Sequence, residues 1–171
     1  MAELRQQERL QPSLLDRLTD EEPDRKKEAR SQRVLSLKKM RESIKRDVAW
    51  LLNSANLAST EDLEAYPEVA HSVLNYGMPD LAGRAVTDLD IIQLERLLQQ
   101  VIVDFEPRIL KNTVKLRLLV DEQKMSHNAV VFEIEGQLWA QPTPLQILLK
   151  TELDLDIGDV KVSDYSGSGG T

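Results

Sequence analysis

The most compact chemistry in this 171-residue chain is the triplet Glu106-Pro107-Arg108, a carboxylate and a guanidinium on either side of a helix breaker. Proline has no N–H and disfavours the α region in the residue before it, so Glu106 is driven toward an extended conformation. Arg108 can bind a carboxylate bidentately, and Glu106 can accept a guanidinium or backbone N–H groups. The triplet therefore predicts a stiff helix-to-strand corner that presents a charged pair. The plainer reading is a helix end with two solvated charges, which contribute little.

Other catalytic or metal chemistry is sparse. The two histidines, His71 and His127, are far apart in sequence, and there is no cysteine, which rules out a disulfide, a thiolate zinc site or a Cys nucleophile. No HExxH, GxSxG, P-loop or GxGxxG pattern occurs. No cofactor is expected. Glycoside hydrolysis would need two carboxyl groups across a cleft, one of them kept protonated. A cation beside Glu106 works against that role.

The net charge of −7 conceals a segregation. Arg25 to Arg46 holds ten Lys/Arg against only Glu28 and Glu42, whereas both flanks are acidic. A basic run can bind nucleic acid. This one lacks interleaved aromatics and lies largely between apolar helical positions, which favours an exposed helix face meeting an acidic partner. No apolar run is long enough to span a membrane, and Met1 to Leu10 is too polar for a signal peptide, so a cytoplasmic protein without direct membrane insertion is expected.

Three regions are expected to hold these groups. Residues 1–30 form a lead containing a short helix, Leu14 to Leu18, capped by Ser13 and tethered by a polar linker. Its Leu14, Leu15 and Leu18 are too few for a core and must dock on this chain or another. Residues 31–163 form the main domain, and residues 164–171 a flexible Ser/Gly tail.

Within the domain, Ser31 to Asn53 reads as an amphipathic helix, with Val34, Leu37, Ile44, Val48, Leu51 and Leu52 inward and Trp50 as a packing residue. Thr60 is expected to cap a short helix. A further short helix starts at Pro67 and runs to about Leu74, before Asn75-Tyr76-Gly77 breaks it. Asn75 and Tyr76 could bind a ligand, but a packed corner at Tyr76 is the stronger reading. Thr87 opens a second long helix that ends at Phe105. After Arg108 the period changes to two: Val114 to Val120 and Val130 to Ile134 suggest a hairpin. Leu145 to Ile157 alternates most cleanly, and Val160/Val162 suggests a last short strand. The fold class is α+β: long amphipathic helices packed on one face of a small antiparallel β-sheet, with a short tethered N-terminal helix.

Four stretches occur together in one order. They are Pro12-Ser13-Leu14-Leu15-Asp16-Arg17-Leu18, Arg41-Glu42-Ser43-Ile44-Lys45-Arg46-Asp47 leading to Trp50-Leu51-Leu52-Asn53, Ser72-Val73-Leu74-Asn75-Tyr76-Gly77, and Phe105-Glu106-Pro107-Arg108. In this the chain resembles the TssE family, small baseplate subunits of bacterial type VI secretion systems, over roughly residues 12 to 163. That family is similar to the wedge protein of contractile-tailed phage baseplates, historically labelled lysozyme-like.

The resemblance implies a non-enzymatic structural adaptor that joins the wedge subunits TssF and TssG to the first sheath ring of TssB and TssC. TssK and the spike or hub protein are further candidate contacts. The protein would work in the cytoplasm at a baseplate docked on the inner membrane. Carried over, Glu106, Pro107 and Arg108 form the docking corner, and the sheet offers an edge for strand addition. The rivals are a peptidoglycan hydrolase and, behind it, a nucleic-acid-binding protein using residues 25–46. On this reading Arg108→Ala spares the melting temperature and abolishes assembly.

Overall fold

A computed structural model describes residues 13–19, 37–119, 128–139 and 144–165. The lead before Ser13, the linker, the helix start from Ser31 with Val34, Val120, His127 and the Ser/Gly tail lie outside the described residues. The helices are α1 (Leu14–Leu18), α2 (Leu37–Leu52), α3 (Pro67–Ala70) and α4 (Ile91–Phe105); the strands are β1 (Lys115–Leu119), β2 (Ala129–Leu138), β3 (Leu145–Asp154) and β4 (Val160–Asp164). The class is α+β, with a four-stranded antiparallel sheet in the order β1-β2-β3-β4.

The register explains why the alternating strands fold as they do. Leu116 lies opposite Ile134, Ile134 opposite Leu149, Leu118 opposite Phe132, Phe132 opposite Thr151, and Leu153 opposite Val160. All of these side chains therefore fall on one face. On the other face Lys115 is opposite Glu135, Arg117 opposite Glu133, Glu133 opposite Lys150 and Glu152 opposite Lys161. A slip of one residue would place that charged set in the core.

The oily face shares one core with the helices: Ile44, Val48 and Leu52 of α2 and Leu94, Leu98 and Ile102 of α4 join Phe132, Ile134, Leu149 and Leu153. The i, i+4 spacing of Met40, Ile44, Val48 and Leu52 aligns them along α2. Each fully buried Leu, Ile or Phe contributes roughly 1.5–3 kcal/mol. Only α2 and α4, with 16 and 15 residues, exceed five residues among the described helical pieces, so the helical layer is shorter than the expected long helices.

Several expected boundaries are corrected. Thr60 closes a 3-10 turn over Leu57–Ser59 instead of opening a helix. The helix from Pro67 stops at Ala70, and a separate 3-10 turn covers Val73–Asn75. Asp90, not Thr87, caps α4, its carboxylate accepting from the Gln93 N–H at 3.0 Å. Beyond Asp154 the chain turns, with the Gly158 N–H donating to the Asp154 carbonyl at 2.8 Å, so Ile157 is 71% exposed instead of on the oily face. Trp50 is likewise half exposed, with the Arg46 guanidinium 5.1 Å above its ring.

Both outer strands meet side-chain partners at their free edges. Along β1, α4 supplies side-chain partners: the Leu118 N–H donates to Glu95 Oε1 at 2.6 Å, and Gln99 Nε2 donates to the Val114 carbonyl at 2.7 Å. Along β4, Asn53 engages both backbone groups of Val160, at 2.9 and 2.8 Å. Antiparallel pairing turns alternate residues outward, so Val162 and Asp164 share that outward phase.

Candidate functional site

The corner is built as its sequence requires. Glu106 caps α4 at φ −117° and ψ 80°, outside the α region that Pro107 disfavours, and its N–H still bonds to the Ile102 carbonyl. Backbone bonds then fix the exit: the Ile109 N–H donates to the Glu106 carbonyl, the Leu110 N–H to the Gln137 carbonyl, and the Trp139 N–H to the Arg108 carbonyl. Gly136 makes room for this join, because a Cβ there would collide with Ile109 Cγ2. The corner is thus riveted to the end of β2.

The charged pair is not solvated. Glu106 is 3% exposed and Pro107 is exposed, with Arg108 between these extremes. Arg108 folds back so that its backbone N–H and Nε donate to Glu106 Oε1 at 3.0 and 2.7 Å, and Nη2 to Glu106 Oε2. The same guanidinium reaches α2, where Nη2 donates to Asp47 Oδ2 at 2.6 Å and Nη1 to Ser43 Oγ at 3.0 Å. Burial alone would lower the Arg108 pKa, but hydrogen bonds and charge from Glu106 and Asp47 hold it above its ordinary value.

Ser43 passes the network to the N-terminal helix. Its hydroxyl donates to Asp16 Oδ2 at 2.7 Å, while Arg46 donates to Asp16 Oδ1 through Nη1 at 2.7 Å and to Asp47 Oδ1 through Nε at 2.9 Å. Ser13 caps α1 as expected, accepting from the Asp16 N–H and donating to its carboxylate at 2.6 Å. Burial opposes ionisation of Asp16, yet hydrogen bonds from Arg46, Ser13 and Ser43 hold its carboxyl well below the usual range. Leu14, Leu15 and Leu18 are 71%, 44% and 74% exposed. The structure thus brings α1 to the corner through Asp16 and leaves its leucines outward.

Tyr76 adjoins the site. Its ring meets Phe105 edge-on at 5.4 Å, while the residue stays 37% exposed. Burial, then the charges of Asp47 and Glu106, push its hydroxyl pKa up. Gly77 follows at φ +122°, where a Cβ would collide with the Ser54 carbonyl. Asn75 is buried, accepting from the Ala58 N–H and donating to the Ala70 carbonyl at 2.9 Å each, so its amide braces the loop. Nearby, His71 Nδ1 lies 2.7 Å from Asp104 Oδ2.

Asp16, Ser43, Arg46 and Asp47 were not singled out from sequence as site residues. Their one signal was placement: Ser43 and Asp47 sit four apart, directly beside the apolar positions Ile44 and Val48. Chemically the arrangement can hold a shape and recognise a surface. Both Glu106 oxygens and one Asp47 oxygen are occupied by Arg108, so this pair presents no free acid and base to a sugar. On α2 three of the basic residues are engaged by this chain: Arg41 donates to the Gln146 carbonyl, Lys45 to Asp164, and Arg46 to Asp16 and Asp47. Among the described residues no group of His, Cys, Asp or Glu could hold a metal ion, and no helix is long and apolar enough to cross a membrane.

Comparison with known families gives a match. Residues 38–143, which include the corner and most of the network, match the family described as baseplate wedge protein gp25. No curated protein and no solved structure matches the chain.

Proposed function

From the premise that the chain belongs to the baseplate wedge protein gp25 family, a structural family of phage-tail baseplates, we propose that it is the small adaptor of a type VI secretion baseplate. In this role it is not an enzyme. It docks on the wedge subunits TssF and TssG, and its sheet helps the first ring of TssB and TssC form. TssK and the spike or hub protein lie within the same assembly, which sits in the cytoplasm against the inner membrane.

The family match across the corner carries this reading. Glu106 and Arg108 serve it by bracing the exposed Pro107 and the outer side of Arg108, so a partner meets a surface that costs little to order. Leu14, Leu15 and Leu18 supply apolar anchors for a partner's groove. The outward backbone phase of Val162 and Asp164 offers β4 as an edge for strand addition.

Affinity capture from cells expressing a type VI cluster tests the reading. Wild type is expected to recover TssF and TssG, and Leu14→Ser/Leu18→Ser to lose them while keeping its circular dichroism spectrum. Absence of both subunits with folded wild type would overturn it. Turnover of peptidoglycan that disappears in Glu106→Gln would replace it with the hydrolase.

A further inference from the structure

α1 is held to the rest of the protein by a polar contact and offers its apolar side to solvent. Its five residues are too few to be helical alone, since the first turn is costly and short helices are marginal in water. What fixes them is Asp16, whose carboxylate accepts from Ser13, Ser43 and Arg46 at 2.6–2.7 Å. The receptor for that carboxylate stands without it: Arg46 keeps Asp47 and the face of Trp50, and Ser43 keeps Arg108. Leu14 and Leu18, four residues apart and thus on one face, remain about three-quarters exposed.

We propose that Asp16 is a positioning residue. By clipping α1 onto Ser43 and Arg46, it presents Leu14, Leu15 and Leu18 as a preformed ligand for an apolar groove in a partner protein. The clip stays closed in the complex. The groove is apolar, because α1 turns its Asp16 carboxylate inward to Ser43 and Arg46 and leaves Leu14, Leu15 and Leu18 outward. Fixing a short helix before contact removes an ordering cost that a tethered, unfolded segment would meet on binding. The inference rests on the leucine-docking reading above and adds a residue that acts through geometry, without touching the partner.

The test uses the full chain in three forms, with immobilised TssF–TssG complex as the probe and amide exchange at Asp16 and Thr19 as a second readout. Asp16→Asn is expected to lose α1 protection while keeping the melting transition, since the core contains no α1 residue. If the clipped fraction falls to about a tenth, its dissociation constant rises about tenfold. Leu14→Ser/Leu18→Ser is expected to keep α1 protected and lose binding. Unchanged or tighter binding by Asp16→Asn, while the leucine variant still loses it, would overturn the clip and leave leucine docking intact. Weaker binding by Asp16→Asn with α1 still protected would also overturn it. No loss in either variant would remove the leucine reading and the clip together.

Discussion

The corner and the sheet are stabilised by opposite means. In the sheet, Phe132, Ile134, Leu149 and Leu153 are fully buried and nondirectional, and their positions follow from a period of two. At the corner, Glu106, Arg108 and Asp47 are bound atom to atom, and the partners come from elements about sixty residues apart. Apolar burial tolerates modest changes of shape. A buried charge network does not tolerate the loss of one member, because the remainder is left unpaired in a poorly solvated place. The lesson is that charges conspicuous in a sequence can be spent on holding a surface in shape.

The sharpest way to break this comparison is Leu149→Asp. A carboxylate at a fully buried site costs more than the roughly 5–15 kcal/mol that holds a typical domain together, so the cooperative melt should vanish. A native circular dichroism spectrum would show that the core face was misplaced. Arg108→Ala comes next, expected to cost about 3–5 kcal/mol by urea unfolding, because Glu106 and Asp47 lose their shared cation. This revises the expectation from sequence that it leaves stability unchanged. A loss under about 1 kcal/mol would mean that the corner behaves as ordinary surface charge.

Acid should separate the two regions in one sample. The Asp16 carboxyl is depressed in the folded protein, so its contribution is complete above about pH 4, the unfolded value, and is lost as pH falls through the folded one. Facing Arg46, Ser13 and Ser43, it should release α1 below pH 4, seen as faster exchange at Thr19 while the β2 and β3 amides stay protected. Simultaneous loss of both would contradict the separation. The smallest effect is Thr151→Val. Thr151 Oγ1 is buried and, among the described residues, has no hydrogen-bond partner. Removing it should stabilise by up to about 1 kcal/mol, and destabilisation in urea would reveal a partner for that hydroxyl.

How much of this was legible beforehand follows the same division. Strand periodicity is written locally, so the oily positions of β1 to β4 could be read directly, apart from Ile157, where Asp154 to Gly158 form a turn that alternation does not announce. Cap residues compete over a few positions, which is why the sequence points to Thr87 where Asp90 caps the helix, and to Thr60 as opening a helix where it closes a turn. The bend at Glu106-Pro107-Arg108 was legible because proline acts on its neighbour. Its closure onto Ser43 and Asp47, and the capture of Asp16, were not, because nothing near Arg108 in the chain encodes which distant side chains will face it.

Both margins of the sheet are met by side chains from the helical layer. Glu95 and Gln99 of α4 engage the Leu118 N–H and the Val114 carbonyl at one margin. Asn53, just past α2, and Lys45 engage Val160 and Asp164 at the other. The two long helices thus act as brackets, gripping the sheet at its edges as well as across its oily face.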